Sequence, residues 1–280
     1  QQVDPARSVQ RALFDRVYDH TVERLFRARR SGRWWVLDVA KNHDRVVLPV
    51  ARTEPKPTGR VICVCHDVER GWGHRQSHPE FADMAERVAR AALPAMLEVE
   101  AQLAVRATYH VVGAFVADVR DDIRRHGHTL AFHSFDHDLR APQLERCRAV
   151  DYRLRGYRAP QSRRTRELND RNLCRHNFEW FATSAAALGA GVPTLQNRVV
   201  HVPIAFDDYP LFTGEQTYEV WEARALEHIE QRAFTAFCLH DCYADYWLPH
   251  YRKFLGKLAR LGRLATLDQV SRDLLLAAAA

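Results

Sequence analysis

From residue 60 onward, short apolar runs alternate with longer stretches of helical periodicity. "RVICVCH", "VRATYHVV", "TLAFH", "RGYRA", "EWFATS", "VVHVPI", "TAFCLH" and "LATL" have the length and β-branched or aromatic content of buried strands. Between most of them lie stretches that predict helices, at 79–102, 115–126, 165–175, 219–233 and 245–261. Strands that alternate with helices indicate an α/β fold with a parallel sheet or barrel. The chain before residue 60 has a different pattern. Val9, Leu13, Val17, Val22, Leu25 and Phe26 fall at helical spacing and predict an amphipathic helix over 5–30. Two extended stretches follow, "RWWVLDV" and "RVVLPV", and then the proline-punctuated linker "RTEPKPTG". The expected organisation is an N-terminal extension, 1–59, and a repeating core, 60–280.

Composition narrows the function classes. The 280 residues are 46% hydrophobic and 27% charged, which is enough apolar content for a large core and argues against disorder. No apolar run reaches the roughly 18 residues that span a bilayer. The first twenty residues lack a charged n-region followed by an apolar stretch, so a cytoplasmic protein is expected, with no membrane partner. The net charge of +6 suggests nucleic acid only at first sight. The basic residues are dispersed, no recognition motif accompanies them, and all but four of the 41 cations are arginine, so no nucleic-acid partner is expected. Six cysteines in a chain of this length read as reduced thiols, with Cys63 and Cys65 sharing one face of a buried strand.

In parallel α/β folds, chemistry gathers at the carboxyl ends of strands, where the loops converge. The polar residues at the ends of the predicted strands are His66, Asp67 and Glu69; His133 and His137; Arg158; Asp207 and Asp208; and His240 and Asp241. In "AFHSFDH", His133 and His137 are four apart, so on a helical turn they would share a face. A metal site needs a further ligand. "VCHDVERGWG" supplies two carboxylates two positions apart, Asp67 and Glu69, which can divide the roles of metal ligand and general base.

These segments resemble the polysaccharide deacetylase family over residues 60 to about 270. "ATYHVVG" is similar to its second-strand segment, "IRRHGHTLAFHSFDH" to its histidine motif, "GYRAPQ" to its Arg-x-Pro motif, and "FCLHD" with "RLGRLATLDQV" to its last histidine motif. "HDVE" is similar to the branch that carries Asp-x-Asp or Asp-x-Glu in place of two adjacent aspartates. The resemblance implies a distorted (β/α) barrel of about seven strands and metal-dependent N-deacetylation of an amino sugar or a sugar-containing small molecule. It makes Asp67 the base, Glu69, His133 and His137 the ligands of a divalent metal, zinc above all, Arg158 the residue that orients the base, and His240 the acid. The reverse assignment, Asp67 as ligand and Glu69 as base, stays open. Tyr109, Trp72 and Trp247 are candidate walls for a sugar ring, and Asp207 and Asp208 in "FDDYPLF" are candidate substrate contacts. His74 and His78 are assigned to an active-site loop, and His110 and His128 are taken as structural. Two other readings are a metal-independent hydrolase of another amide, such as a cyclic ureide, and a non-catalytic carbohydrate-binding relative.

Overall fold

Strand β4, Val61–Val68, is an eight-residue apolar run whose side chains alternate between two packed layers. Cys63 and Cys65 face inward with Ala131, Ala182, Ala236, Cys238 and Trp180, while Ile62, Val64 and Val68 face outward against the helices. Both layers are buried, which is why the run lacks a polar alternation. The computed structural model describes residues 26–31, 34–39, 45–49 and 59–279.

The chain divides into two compact units, Gln1–Pro55 and Lys56–Ala280. In the first, β1 (Phe26–Ser31), β2 (Trp34–Val39) and β3 (Arg45–Pro49) form an antiparallel sheet in that order. The two extended stretches are thus observed as strands. The helix expected through residue 30 is not, over its last residues: Phe26–Ser31 pairs with β2 in the register Phe26↔Val39 to Ser31↔Trp34. Only Gly32 and Arg33 separate these strands in sequence, the spacing of a two-residue hairpin link. The earlier part of the expected helix lies outside the described residues.

The second unit is a curled, mostly parallel sheet with helices outside it. After β4 come β5 (Thr108–Val111), β6 (Thr129–Phe132), β7 (Gly156–Arg158), β8 (Trp180–Ser184), β9 (Thr194–Gln196), β10 (Val199–Ile204), β11 (Phe206–Asp207), β12 (Phe234–His240) and β13 (Arg263–Leu264). Their order is β11-β12-β4-β5-β6-β7-β8-β10-β9, with β13 paired to β4. All neighbours are parallel except β9 and β10. The chain from β10 to β11 joins the two ends of the curl. Val200 to Ile204 pair with β8, the Ala205 amide donates to the Ala236 carbonyl at 2.9 Å, and Phe206 and Asp207 pair with β12. This is the distorted barrel that the motifs implied, with one crossing segment completing it.

The helices Ala82–Gln102, Val116–Arg125, Asp170–Arg175, Tyr218–Gln231 and Ala244–Leu261 lie where periodicity predicted helices, the third being shorter than expected. Pro142–Val150 and Leu267–Ala279 are additional. The last helix begins inside the expected strand "LATL". Gln269 Oε1 accepts from the Thr266 amide at 2.9 Å and the Thr266 hydroxyl accepts from the Gln269 amide at 3.3 Å, a reciprocal cap that starts a helix and stops β13 at Leu264.

Candidate active site

Asp67 is the last inward-facing residue of β4, and it is fully buried. Its neighbour in register on β5 is His110, whose Nδ1 lies 2.7 Å from Asp67 Oδ1. The other oxygen, Oδ2, has no hydrogen-bond partner and is approached by Arg158 Nε at 3.5 Å, His240 Nε2 at 3.6 Å and His133 Nε2 at 3.7 Å. Burial opposes ionisation of Asp67, but the His133 and Arg158 side chains and the bond from His110 outweigh it and hold its carboxyl well below the ordinary range. Burial also pushes His110 down, to about 4, so the imidazole is neutral and its one proton sits on Nδ1, facing the carboxylate.

Glu69 lies just past the strand, in a turn that Asp241 fixes. Asp241 Oδ1 accepts from the backbone amides of Glu69 and Arg70, each at 3.1 Å, and Arg70 takes a left-handed φ of 53°. Burial and the Glu69 charge push Asp241 up to about 8. Glu69 Oε2 sits 2.9 Å from His137 Nε2 and 3.3 Å from His133 Nε2. The histidines are not on a helical turn as their spacing suggested. His133 follows β6, and the chain then reverses through left-handed Ser134 (φ 62°) and His137 (φ 64°). Ser134 Oγ accepts from the Asp138 amide at 3.1 Å, and the buried Gln143 side chain accepts from Ser134 Oγ and from the Asp136 amide, each at 3.3 Å. The additional helix Pro142–Val150 thereby holds the turn that brings the two rings together.

Glu69, His133 and His137 offer three ligand atoms within 4.8 Å of one another. Both ring nitrogens of His133 are buried without a hydrogen-bond partner, and burial lowers its pKa, as a neutral imidazole ligand requires. Burial opposes ionisation of Glu69, yet His137 and His133 hold it well below the ordinary range. Two imidazoles, that of His133 with both nitrogens unpartnered, and a carboxylate fit a divalent cation with room for further ligands.

His240 ends β12, its side chain 15% exposed. Its Nδ1 is 2.5 Å from Asp208 Oδ1, and its backbone amide donates to Asp208 Oδ2 at 2.8 Å. Burial opposes its protonation, but Asp208, Glu69 and Asp67 outweigh that and raise its pKa well above the ordinary value. Asp208 is fully buried, so it orients and charges His240 in place of the substrate contact expected of it. Asp207 is half-buried and its Oδ1 accepts from the Tyr209 amide at 3.2 Å, which shapes the turn. Arg158 Nη2 donates to Ser162 Oγ at 2.6 Å, a second anchor beside its pairing with Asp67.

The expected aromatic walls are placed differently. Tyr109 is fully buried and donates to Glu100 Oε2 at 2.5 Å on the outside of the barrel, because its neighbour His110 takes the inward position. Trp247 is 1% exposed, stacks on His66 at 5.8 Å and donates to the His240 carbonyl at 3.3 Å, a packing role. Trp72 is half-buried under the Arg75 guanidinium, which sits 4.5 Å from its ring, and lines a cleft of about 290 Å³ with Arg70 and Phe115. His74, expected in a loop, begins the short helix His74–Ser77 and lies beside Glu69 and Cys242, and His128 is structural, 3.3 Å from Glu100. His110, expected to be structural, instead meets Asp67 directly.

No family model and no curated protein matches the chain. Solved structures do. A protein described as a polysaccharide deacetylase from Mycobacterium smegmatis is 18% identical with a TM-score of 0.65, covering 80% of this chain and 93% of its own. One similarly described from Pseudomonas aeruginosa PAO1 is 14% identical with a TM-score of 0.60, over 79% and 94%. The PuuE allantoinase is also 14% identical with a TM-score of 0.60, over 79% and 93%. The chain therefore has the fold of the polysaccharide deacetylases, a fold it shares with an allantoinase. No helix among the described residues is long and apolar enough to cross a membrane.

Proposed function

We propose that this protein is a metal-dependent hydrolase that removes an acyl group from the nitrogen of an amino sugar or a sugar-containing small molecule. The observation that supports the reading is the closeness of two groups of side chains: Glu69, His133 and His137 offer three ligand atoms within 4.8 Å of one another, and Asp67, held by His110 and Arg158, lies beside them, suited to act as a base. A divalent ion on those three residues, best matched by zinc, would polarise the acyl carbonyl and acidify a water.

The chain's own groups supply the proton traffic. Ionised Asp67 has one oxygen committed to His110 and leaves Oδ2 to take the proton of the attacking water. Arg158 fixes that carboxylate by charge and keeps it ionised. His240 is the acid: Asp208 holds Nδ1, so Nε2 carries its second proton toward the same space, 3.6 Å from Asp67 Oδ2, ready for the departing nitrogen. The distances favour Glu69 over Asp67 as ligand, since both histidines are nearer to Glu69. An amino-sugar substrate is supported by the likeness to proteins described as polysaccharide deacetylases.

The test combines metal analysis with acetate release from N-acetylated amino sugars. His133→Ala and His137→Ala should each lose this ion and the activity. Asp67→Asn should keep the ion while turnover falls by roughly 10²-fold or more. Full metal retention in both histidine variants, or an Asp67→Asn protein that is empty while Glu69→Gln stays loaded, refutes the assignment.

A further inference from the structure

The two oxygens of Glu69 face different pairs of donor side chains. Oε2 faces His133 and His137. Oε1 is 3.6 Å from Cys242 Sγ, and His74 joins that pair, so that a ring nitrogen, a sulfur and a carboxylate oxygen lie within 4.8 Å of one another. Both added residues are buried, His74 at 2% and Cys242 at 6% exposure. His74 Nδ1 has no hydrogen-bond partner, and the ring is seated edge-on against Phe212 at 5.3 Å and Tyr243 at 5.4 Å. A side chain at Gly73 would place its Cβ 2.3 Å from Glu69 Oε1, so glycine is what leaves that oxygen approachable.

An ion binds its nitrogen, oxygen and sulfur ligands at about 2.0–2.3 Å, so the ligands of one ion must lie within about 4.6 Å of each other. The ligand atoms of each triad lie within 4.8 Å of one another, so that a shift of a few tenths of an ångström brings them to that scale, and the two triads are separate groups that share only Glu69. We infer that His74, Cys242 and Glu69 Oε1 form a second site for a zinc-class dication, with Glu69 bridging two ions. The inference rests on the reading of Glu69 as a ligand of the first ion. Hydrolases with two ions hold them about 3.5–4 Å apart, a span one carboxylate can bridge. The sulfur gives the second site its selectivity: a thiolate with an imidazole and a carboxylate suits zinc or cobalt and not magnesium or calcium. On entry of the ion the Cys242 thiol loses its proton to solvent.

Cobalt(II) titration of metal-free protein tests this, because a thiolate bound to cobalt gives a charge-transfer band in the near ultraviolet that His and Glu ligands do not. The expected result is a thiolate band at saturation and about two ions per chain, one per triad. Cys242→Ser should abolish the band and one equivalent, and His74→Ala should weaken the band-forming site by roughly tenfold or more. His133→Ala should remove the other equivalent and leave the band. Wild-type protein saturated without a thiolate band overturns the inference. So does a band that survives Cys242→Ser, which would point to Cys238 beside Asp67 and His110. The first site fails independently, by an unchanged metal content in both His133→Ala and His137→Ala.

Discussion

Replacing His110 with glutamine should flatten the acid side of the protein's stability curve. His110 is fully buried, and its pKa falls from 6.5 to about 4 because burial outweighs the attraction of Asp67. The unfolded chain therefore binds a proton in this interval that the folded chain does not, and stability must fall as pH falls from 6.5 towards 4. Full separation of the two values corresponds to about 3.4 kcal/mol, of which about 2.5 kcal/mol is expressed between about pH 8 and about pH 4.5. Urea unfolding at those two pH values, for wild type and His110→Gln, isolates this contribution, since the other histidines titrate in both proteins. Glutamine cannot titrate and retains an amide donor for Asp67. The variant should lose about 2.5 kcal/mol less than wild type over the interval. Equal losses would show that His110 is an imidazolium in the folded state, and that the neutral donor assigned to the base is wrong.

Asp208→Asn removes the charge that supports protonated His240, so the alkaline limb of the pH–rate profile should move to lower pH; an unmoved limb assigns the acid elsewhere. His240→Ala should depress hydrolysis of an amide far more than that of an acetylated phenol, whose leaving group needs little protonation; equal losses would make His240 a structural or oxyanion group. Gly156→Ala would place a Cβ 1.9 Å from Trp180 Cζ2 within the rigid sheet, and should destabilise the protein by about 3 kcal/mol in thermal unfolding, a cost that only outward movement of Trp180 could lower.

Most of the barrel and the residues that gather at its mouth are legible because strand ends carry a compact code: an apolar run, then a polar residue at its carboxyl end. What the runs do not carry is parity. On β5, Tyr109 and His110 are equally compatible with a buried strand, and nothing in the local pattern tells which of the two faces inward. The register of β5 on β4, with His110 opposite Asp67, decides the matter, and it is a long-range property. His133 and His137 do lie close together, but on a reversing turn and not on a helical one. The turn depends on two left-handed residues and on Gln143, whose role cannot be seen from local spacing. The sequence alone makes Asp208 a candidate substrate contact, because only the fold shows His240 lying across from it. The final helix had a readable signal that periodicity overrode, Thr266 and Gln269 at capping-box spacing. At the N-terminal end, Phe26 matched a helical face, yet the short spacer to "WWVLDV" carried the stronger hairpin information.

The crossing segment has a consequence for synthesis of the protein. Asp67 and Glu69 leave the ribosome long before His240 and Asp241, which sit on or next to β12, the strand that pairs with β4 and accepts β11. Until residues 234–241 have emerged, β4 lacks β12 as well as the still later β13, the Glu69 turn lacks the Asp241 side chain that holds it, and the curl formed by β4 to β10 has nothing to close on. Pairing across such a sequence separation is slow to form, and the waiting intermediate exposes an unpaired strand edge. A nascent chain arrested before β12 would thus carry Asp67, Glu69, His133 and His137 without His240 and Asp241, and would depend on chaperones to keep the bare edge of β4 from pairing with another chain.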